Sequence, residues 1–236
     1  MQFINLFKGA FLGISFMCLV ACGGSDYVEN ADRNDVITVG DSIFDLSGEL
    51  QLFLEQKAGQ TFRNYTQSGA ELTGGIIATA VDVQYSDARS TNANIDTVVM
   101  DGGGNDILIP AMVGDIYGCR TKWYRKNISS RCKNLVNNVY VDLVNFLNQM
   151  DADGVKNVVY LGYYELPRGN ANLLQALNYG DEKLADACSN TTANCSFVDP
   201  RGHIPADYVL SDNIHPTTEG SQVLADLVWP HLQPLL

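Results

Sequence analysis

Five short apolar runs, separated by stretches with helical spacing, constrain this chain more than any other feature. Val36-Ile37-Thr38-Val39 stops at Gly40, Thr61 to Tyr65 leads into Ser68-Gly69, and Thr97-Val98-Val99-Met100 stops at Asp101-Gly102-Gly103-Gly104. Asn157 to Leu161 and Ser196 to Val198 complete the set. Each run is short and punctuated, as buried strands are. Between them, Leu46, Leu50, Phe53, Leu54 and Lys57 recur at helical spacing, and Ile77, Val81 and Tyr85 do so more weakly over 75–88. The clearest helix runs from Leu135 to Met150, where Val136, Tyr140, Leu143, Leu147 and Met150 form one apolar stripe. Residues 171–187 and the segment around Val223, Leu224, Leu227 and Val228 are further helices. Strands joined through helices require crossover connections, so the predicted fold class is α/β, a parallel five-stranded sheet covered on both faces.

The chain has 236 residues, which fits one large domain beside a leader, and no internal repeat is visible. Acidic residues number 27 against 15 basic, a formal net charge of -12. Nucleic acid is therefore excluded as a partner, because phosphate binding needs a basic face.

The first residues stand apart from the fold. Lys8 precedes an apolar run from Ala10 to Ala21, too short to span a bilayer and suited to a secretory signal. The run ends in Leu19-Val20-Ala21-Cys22, which resembles the signal box of bacterial lipoproteins. That resemblance implies a signal peptide over 1–21, lipidation of Cys22, and a membrane partner reached through the anchor. Residues 22–34 would then be a flexible polar tether. Gly23 rather than Asp after the Cys implies the outer membrane of a bacterial envelope. With Cys18 and Cys22 set aside, four cysteines remain, and in an oxidising compartment they are expected to pair. Three pairings are open to four cysteines, of which Cys119–Cys132 with Cys188–Cys195 is the local one.

In a parallel sheet ligands bind beyond the carboxyl ends of the strands, so the clusters just after each strand are where chemistry is expected. Gly40-Asp41-Ser42 follows the first strand and Gly69 the second; Gly103-Gly104-Asn105-Asp106 follows the third, and Tyr163-Tyr164-Glu165 the fourth. Asp212-Asn213-Ile214-His215-Pro216 precedes the last helix. A serine at a strand-to-helix turn becomes a nucleophile if a base reaches its hydroxyl. An Asp three residues before a His can fix the ring's tautomer and stabilise the imidazolium. Taken singly these are weak signals: Ser42 could be a helix cap, Asp212 and His215 a solvated surface pair, and Asn105 part of a plain turn.

In this order the clusters resemble the SGNH, or GDSL-type, hydrolase superfamily. The first block stands as Gly40-Asp41-Ser42-Ile43, with Ile43 in place of the family's Leu; the second rests on Gly69, the third on Gly103-Gly104-Asn105-Asp106, the last on Asp212 to Pro216. The resemblance covers 35–236 and implies a hydrolase domain with a flavodoxin-like, three-layer α/β/α sandwich. It implies a serine esterase or lipase-like activity on carboxylic esters of small molecules, lipids or glycans. Ser42 would be nucleophile, His215 base and acid, and Asp212 orienter. The backbone N–H groups of Ser42 and Gly69 and the side-chain amide of Asn105 would form the oxyanion hole. No cofactor and no metal are implied.

Two other readings use the same residues. Gly-Asp and Gly-Asn-Asp fragments also occur in metal-dependent phosphoesterases, but such sites recruit several His, and here His203, His215 and His231 are scattered. A silent binding lipoprotein on the same fold would not need every catalytic position filled. His203 lacks an Asp three residues before it. The segment between Gly118 and Asn134 carries Arg120, Lys122, Arg125, Lys126, Arg131 and Lys133 with no acidic residue, and Trp123 and Tyr124 at its tip. It is expected to be a basic loop that either recruits anionic substrates or head groups or is merely solvated.

Overall fold

A computed structural model describes residues 28–236. Five strands form one sheet: β1 (Arg33–Val39), β2 (Phe62–Asn64), β3 (Thr97–Met100), β4 (Asn157–Leu161) and β5 (Cys195–Val198). Their order is β2-β1-β3-β4-β5, and every pairing is parallel. The α/β class and the five-stranded parallel sheet are those expected. Among the described residues, seven α-helices connect or cover the strands: α1 (Ser42–Asp45), α2 (Glu49–Ala58), α3 (Val81–Thr91), α4 (Gly104–Met112), α5 (Ser130–Ala152), α6 (Leu174–Asn190) and α7 (Thr218–Leu232).

Successive strand side chains point to opposite faces, so a run buried on both sides can be apolar throughout. On one face Ile37, Val98, Met100, Val158 and Tyr160 pack with Tyr85 of α3, Leu143 and Leu147 of α5 and Leu184 of α6. On the other face Val36, Val99, Val159 and Leu161 meet Leu50 and Leu54 of α2 and Leu224 and Val228 of α7. The result is three layers. A smaller apolar cluster joins Ile107 and Ala111 of α4 to Val136 of α5 and to Ala176 and Leu177 of α6.

Several boundaries differ from those expected. Residues 28–34 are not a free tether: Val28 pairs antiparallel with Asn64, Asp32 bonds Thr61, and Arg33 opens β1 with its guanidinium on the Leu236 carbonyl. Polar composition suggested a linker there, but these residues satisfy one another's hydrogen bonds across 29 to 203 positions of sequence, which composition does not reveal. The helix expected over 75–88 begins only at Val81, because Gly74 and Gly75 both take positive φ (75° and 79°) and keep 73–80 a loop. Helix α4 was hidden by its three leading glycines and by Pro110. Over 171–187, a 3₁₀ turn (Arg168–Leu173) precedes α6.

Among the described residues, the disulfides are Cys119–Cys132, with Cα atoms 5.1 Å apart, and Cys188–Cys195, at 5.2 Å. The first ties the α4–α5 connection to α5, and the second ties the end of α6 to β5. The expected basic loop is shorter than its sequence suggested, because Ser129 caps α5 and places Arg131 and Lys133 on that helix. Asp115 accepts from Arg125 at 2.9 Å, with Lys122 at 3.6 Å, and Arg120 is bound to the Ala111 carbonyl and to Asn172. Half of the segment's cations are thus bound to neighbouring groups of the fold, Asp115, Ala111 and Asn172, rather than left wholly to an anionic partner. The signal-peptide and Cys22 expectations lie outside the described residues.

Candidate active site

The sheet's strand order reverses between β1 and β3, and in open α/β sheets the crevice beyond that point is where ligands bind. The chain leaves β1 through Gly40 and Asp41 into α1, so Ser42 opens a helix at this crevice, with a backbone N–H that has no intrahelical acceptor. The cap of α1 is Asp41, whose Oδ1 accepts from the Ile43 N–H at 3.0 Å, and not Ser42. The serine hydroxyl is thereby free of capping duty.

His215 Nε2 lies 2.9 Å from Ser42 Oγ, and His215 Nδ1 lies 2.7 Å from Asp212 Oδ2. A carboxylate can only accept, so Nδ1 carries the ring hydrogen and Nε2 is left to accept from the serine. The other Asp212 oxygen accepts from the backbone N–H of Ile214 (2.8 Å) and of His215 (3.0 Å). Burial pushes the Asp212 carboxyl up, but the hydrogen bonds from His215 and these two N–H groups outweigh it and hold the carboxyl below its ordinary range. Asp212 thus stays an anion beside the imidazole.

Asn105 sits in the first turn of α4, buried, with Nδ2 donating to the Ala70 carbonyl at 2.9 Å. An amide nitrogen has two hydrogens, so one remains for a second acceptor. Gly69 stands at φ 87°, a conformation that favours glycine, on the loop after β2. Ser42, Gly69, Asn105 and His215 all line one cleft of about 290 Å³. The residues expected from sequence therefore meet in space. His203 does not join them; it is exposed, and its backbone bonds Pro200. His231 instead pairs through Nδ1 with Ser196 Oγ at 2.6 Å.

A buried support beneath Ser42 escaped sequence reasoning. Asp101, at the end of β3, accepts the Asp41 N–H through Oδ1 at 2.7 Å. Tyr163 donates its hydroxyl to Asp41 Oδ2 at 2.7 Å, and Gln84 Oε1 accepts the Gly40 N–H at 2.7 Å. Both carboxyls are almost fully buried. Burial, and then the neighbouring Asp41, push Asp101 far above the carboxylate range; burial pushes Asp41 up as well. Gly40 is needed here, since a Cβ on it would lie 1.9 Å from Asp101 Oδ1. Tyr163 is held in turn by its backbone N–H to Asp181 (3.0 Å), a carboxyl that burial raises to about 7. An acidic residue directly after a strand of buried apolar residues was the one available signal. Among the described residues, no three His, Cys, Asp or Glu side chains converge as a metal site.

No protein-family model and no curated protein sequence matches the chain. Solved structures do. A member of the lipolytic G-D-S-L family from Veillonella parvula is similar at 17% identity, covering 85% of this chain and 98% of that one, with a TM-score of 0.57. An acetylxylan esterase from Geobacillus stearothermophilus matches at 14% identity over 85% and 93% of the two chains, with a TM-score of 0.57. A lipase from a goat rumen metagenome matches at 13% identity over 83% and 95%, with a TM-score of 0.59. Taken with the β2-β1-β3-β4-β5 parallel sheet, these likenesses establish that the chain has the fold of the SGNH, or GDSL-type, hydrolases.

Proposed function

We propose that the protein is a serine hydrolase of carboxylic esters. The observation that carries the reading is the relay from Ser42 through His215 to Asp212, with both hydrogen bonds within reach for proton transfer (2.9 and 2.7 Å). Ser42 Oγ attacks the ester carbonyl carbon as its proton passes to His215 Nε2, and Asp212 stabilises the imidazolium. The tetrahedral oxyanion is received by the Ser42 and Gly69 N–H groups and the free Asn105 amide hydrogen; one such donor is typically worth ~10²–10³ in rate. The C–O bond breaks, the alcohol takes the proton from Nε2, and the acyl group stays on Ser42. Water then attacks the acyl-enzyme with His215 again as base, releasing a carboxylic acid and restoring the serine. The likeness to an acetylxylan esterase and to a lipase supports ester chemistry. We further propose that lipidation of Cys22 holds the domain at a bacterial envelope membrane, which incorporation of labelled palmitate into the wild type but not into Cys22→Ser would test.

Covalent labelling by a fluorophosphonate tests the catalytic reading. The wild type is expected to label at Ser42 and to hydrolyse 4-nitrophenyl esters. Ser42→Ala and His215→Ala should each lose up to ~10⁶-fold in kcat, since members of such a relay act as a unit. A wild type that neither labels nor hydrolyses any ester would overturn it.

A further inference from the structure

Ser42 stands at the junction of two cavities of unlike size. Ser42, Asn105, Leu108 and Ile214 belong to the walls of both. The outer cleft, about 290 Å³, carries Gly69 and His215 and is otherwise walled by Ser68 and by the apolar Leu46, Ile77, Ile109 and Met112. The second, inner cavity, about 30 Å³, lies between Asp41, Ile43, Gly104, Tyr163, Tyr164, Leu166 and Leu177.

The chemistry assigns one half of an ester to each. The leaving oxygen must come within hydrogen-bond reach of His215 Nε2 to collect its proton. His215 lines only the outer cleft, so the alcohol half lies there. The carbonyl oxygen is fixed towards Gly69 and Asn105. The remaining substituent of the carbonyl carbon, the acyl half, is then directed at the inner cavity. One water needs about 10–15 Å³ on this measure, so the inner cavity admits roughly two or three heavy atoms. Lengthening it would require movement of Leu166 or Leu177. The outer cleft has no comparable floor: its wall residues Ile77 and Met112 are 63% and 52% exposed. A wall of that kind offers dispersion contact and apolar burial but few hydrogen-bond partners, which suits an apolar alcohol and not a polyhydroxylated one.

We infer that the substrate class is a short-chain acyl ester, of about two to four carbons, on a bulky apolar alcohol, an assignment that rests on the serine esterase reading above. The test measures two series with the full chain. In the acyl series, kcat/KM is expected to fall at least tenfold from 4-nitrophenyl acetate or butyrate to the octanoate. Leu177→Ala, and separately Leu166→Ala in case the first variant folds poorly, should raise the octanoate rate relative to acetate by several-fold. In the alcohol series, hexyl acetate should have a lower KM than ethyl acetate. Ile77→Ser and Met112→Ser should raise the hexyl acetate KM several-fold more than that of ethyl acetate. Octanoate preferred by the wild type, an unchanged acyl ranking in both leucine variants, or acetylated sugars preferred over hexyl acetate would overturn the inference while leaving the esterase intact. Absence of both labelling and hydrolysis would instead overturn the esterase reading on which it stands.

Discussion

Ser42 is held from below by buried groups, whereas His215 is held from the side by its own loop. Beneath the serine lie Asp41, Asp101 and Tyr163, contributed by the ends of three parallel strands and linked by hydrogen bonds of 2.7 Å. The loop of the histidine is half-buried, and Asp212 shapes it by binding two backbone N–H groups with one oxygen and the ring with the other, while the buried Tyr164 donates its hydroxyl to the Ile214 carbonyl. Asn213 within it takes a φ of 60°, which non-glycine residues seldom adopt. Its outer support is another surface segment, the 3₁₀ turn, where Asn170 Nδ2 reaches the Asp212 and Asn213 carbonyls at 3.4 Å. The proposed nucleophile is thus held from the core, and the proposed base mainly by a loop. Activity and stability should be inseparable at the first and separable at the second.

The largest expected effect breaks the loop side alone. Asp212→Ala removes the acceptor that fixes the tautomer of His215, and loss of that role costs ~10⁴ in kcat. The side chain is partly exposed, and the core does not rest on it. The thermal midpoint should therefore move by only a few degrees while turnover collapses. A variant that unfolds instead would show that the loop is as structural as the strand ends.

The next effect falls on the core side. Asp101→Ala leaves the Asp41 N–H buried without its acceptor, at a cost of about 1–3 kcal/mol. It also loosens the turn that aims Ser42, so kcat should fall together with stability. Asp101→Asn keeps an acceptor oxygen and a neutral group, and should recover most of both. Denaturant midpoints and kcat on the same three proteins decide it. Full activity in a destabilised Asp101→Ala would mean that the support carries the fold without aiming the serine.

The same division explains what could be read in the sequence. The short apolar strand runs, the α5 stripe and the clusters after β1, β3 and before α7 were legible because each is written in nearby residues. Ser42, Asn105, Asp212 and His215 fall within such clusters, so their meeting at one crevice follows once the sheet is parallel. The Asp101–Asp41–Tyr163 support was not legible as a unit: an acidic residue directly after an apolar strand hints at Asp101 alone, and the members lie 60 and 122 positions apart. The ordering of 28–34 was missed for the same reason, its partners being Thr61 and Leu236. In the basic segment the positive residues were visible, but the folding of Arg125 and Lys122 onto Asp115 depends on a turn that no periodicity announces.

The smallest expected effect is on stability against pH, and it separates the two sides by sign. Asp181 supports the nucleophile side through the Tyr163 N–H, and burial raises its carboxyl to about 7 in the folded chain. In the unfolded chain it would lose its proton near ~3.9. Between these values the folded state binds the extra proton, so this contribution is full at acid pH and is lost as pH rises through about 7. Asp101 and Asp41 are displaced in the same direction. Asp212 is displaced downward, so its contribution is present above the ordinary carboxylate range and is lost only as pH falls below it. From pH 5 to 8 the wild type should therefore lose stability through the nucleophile side while the loop side stays constant. Asp181→Asn keeps an acceptor for Tyr163 but cannot titrate, and its unfolding midpoint should decline less steeply over that range. Asp212→Asn should show the wild-type slope. If the two variants had equal slopes, the pH dependence would not arise from the buried carboxyls beneath Ser42.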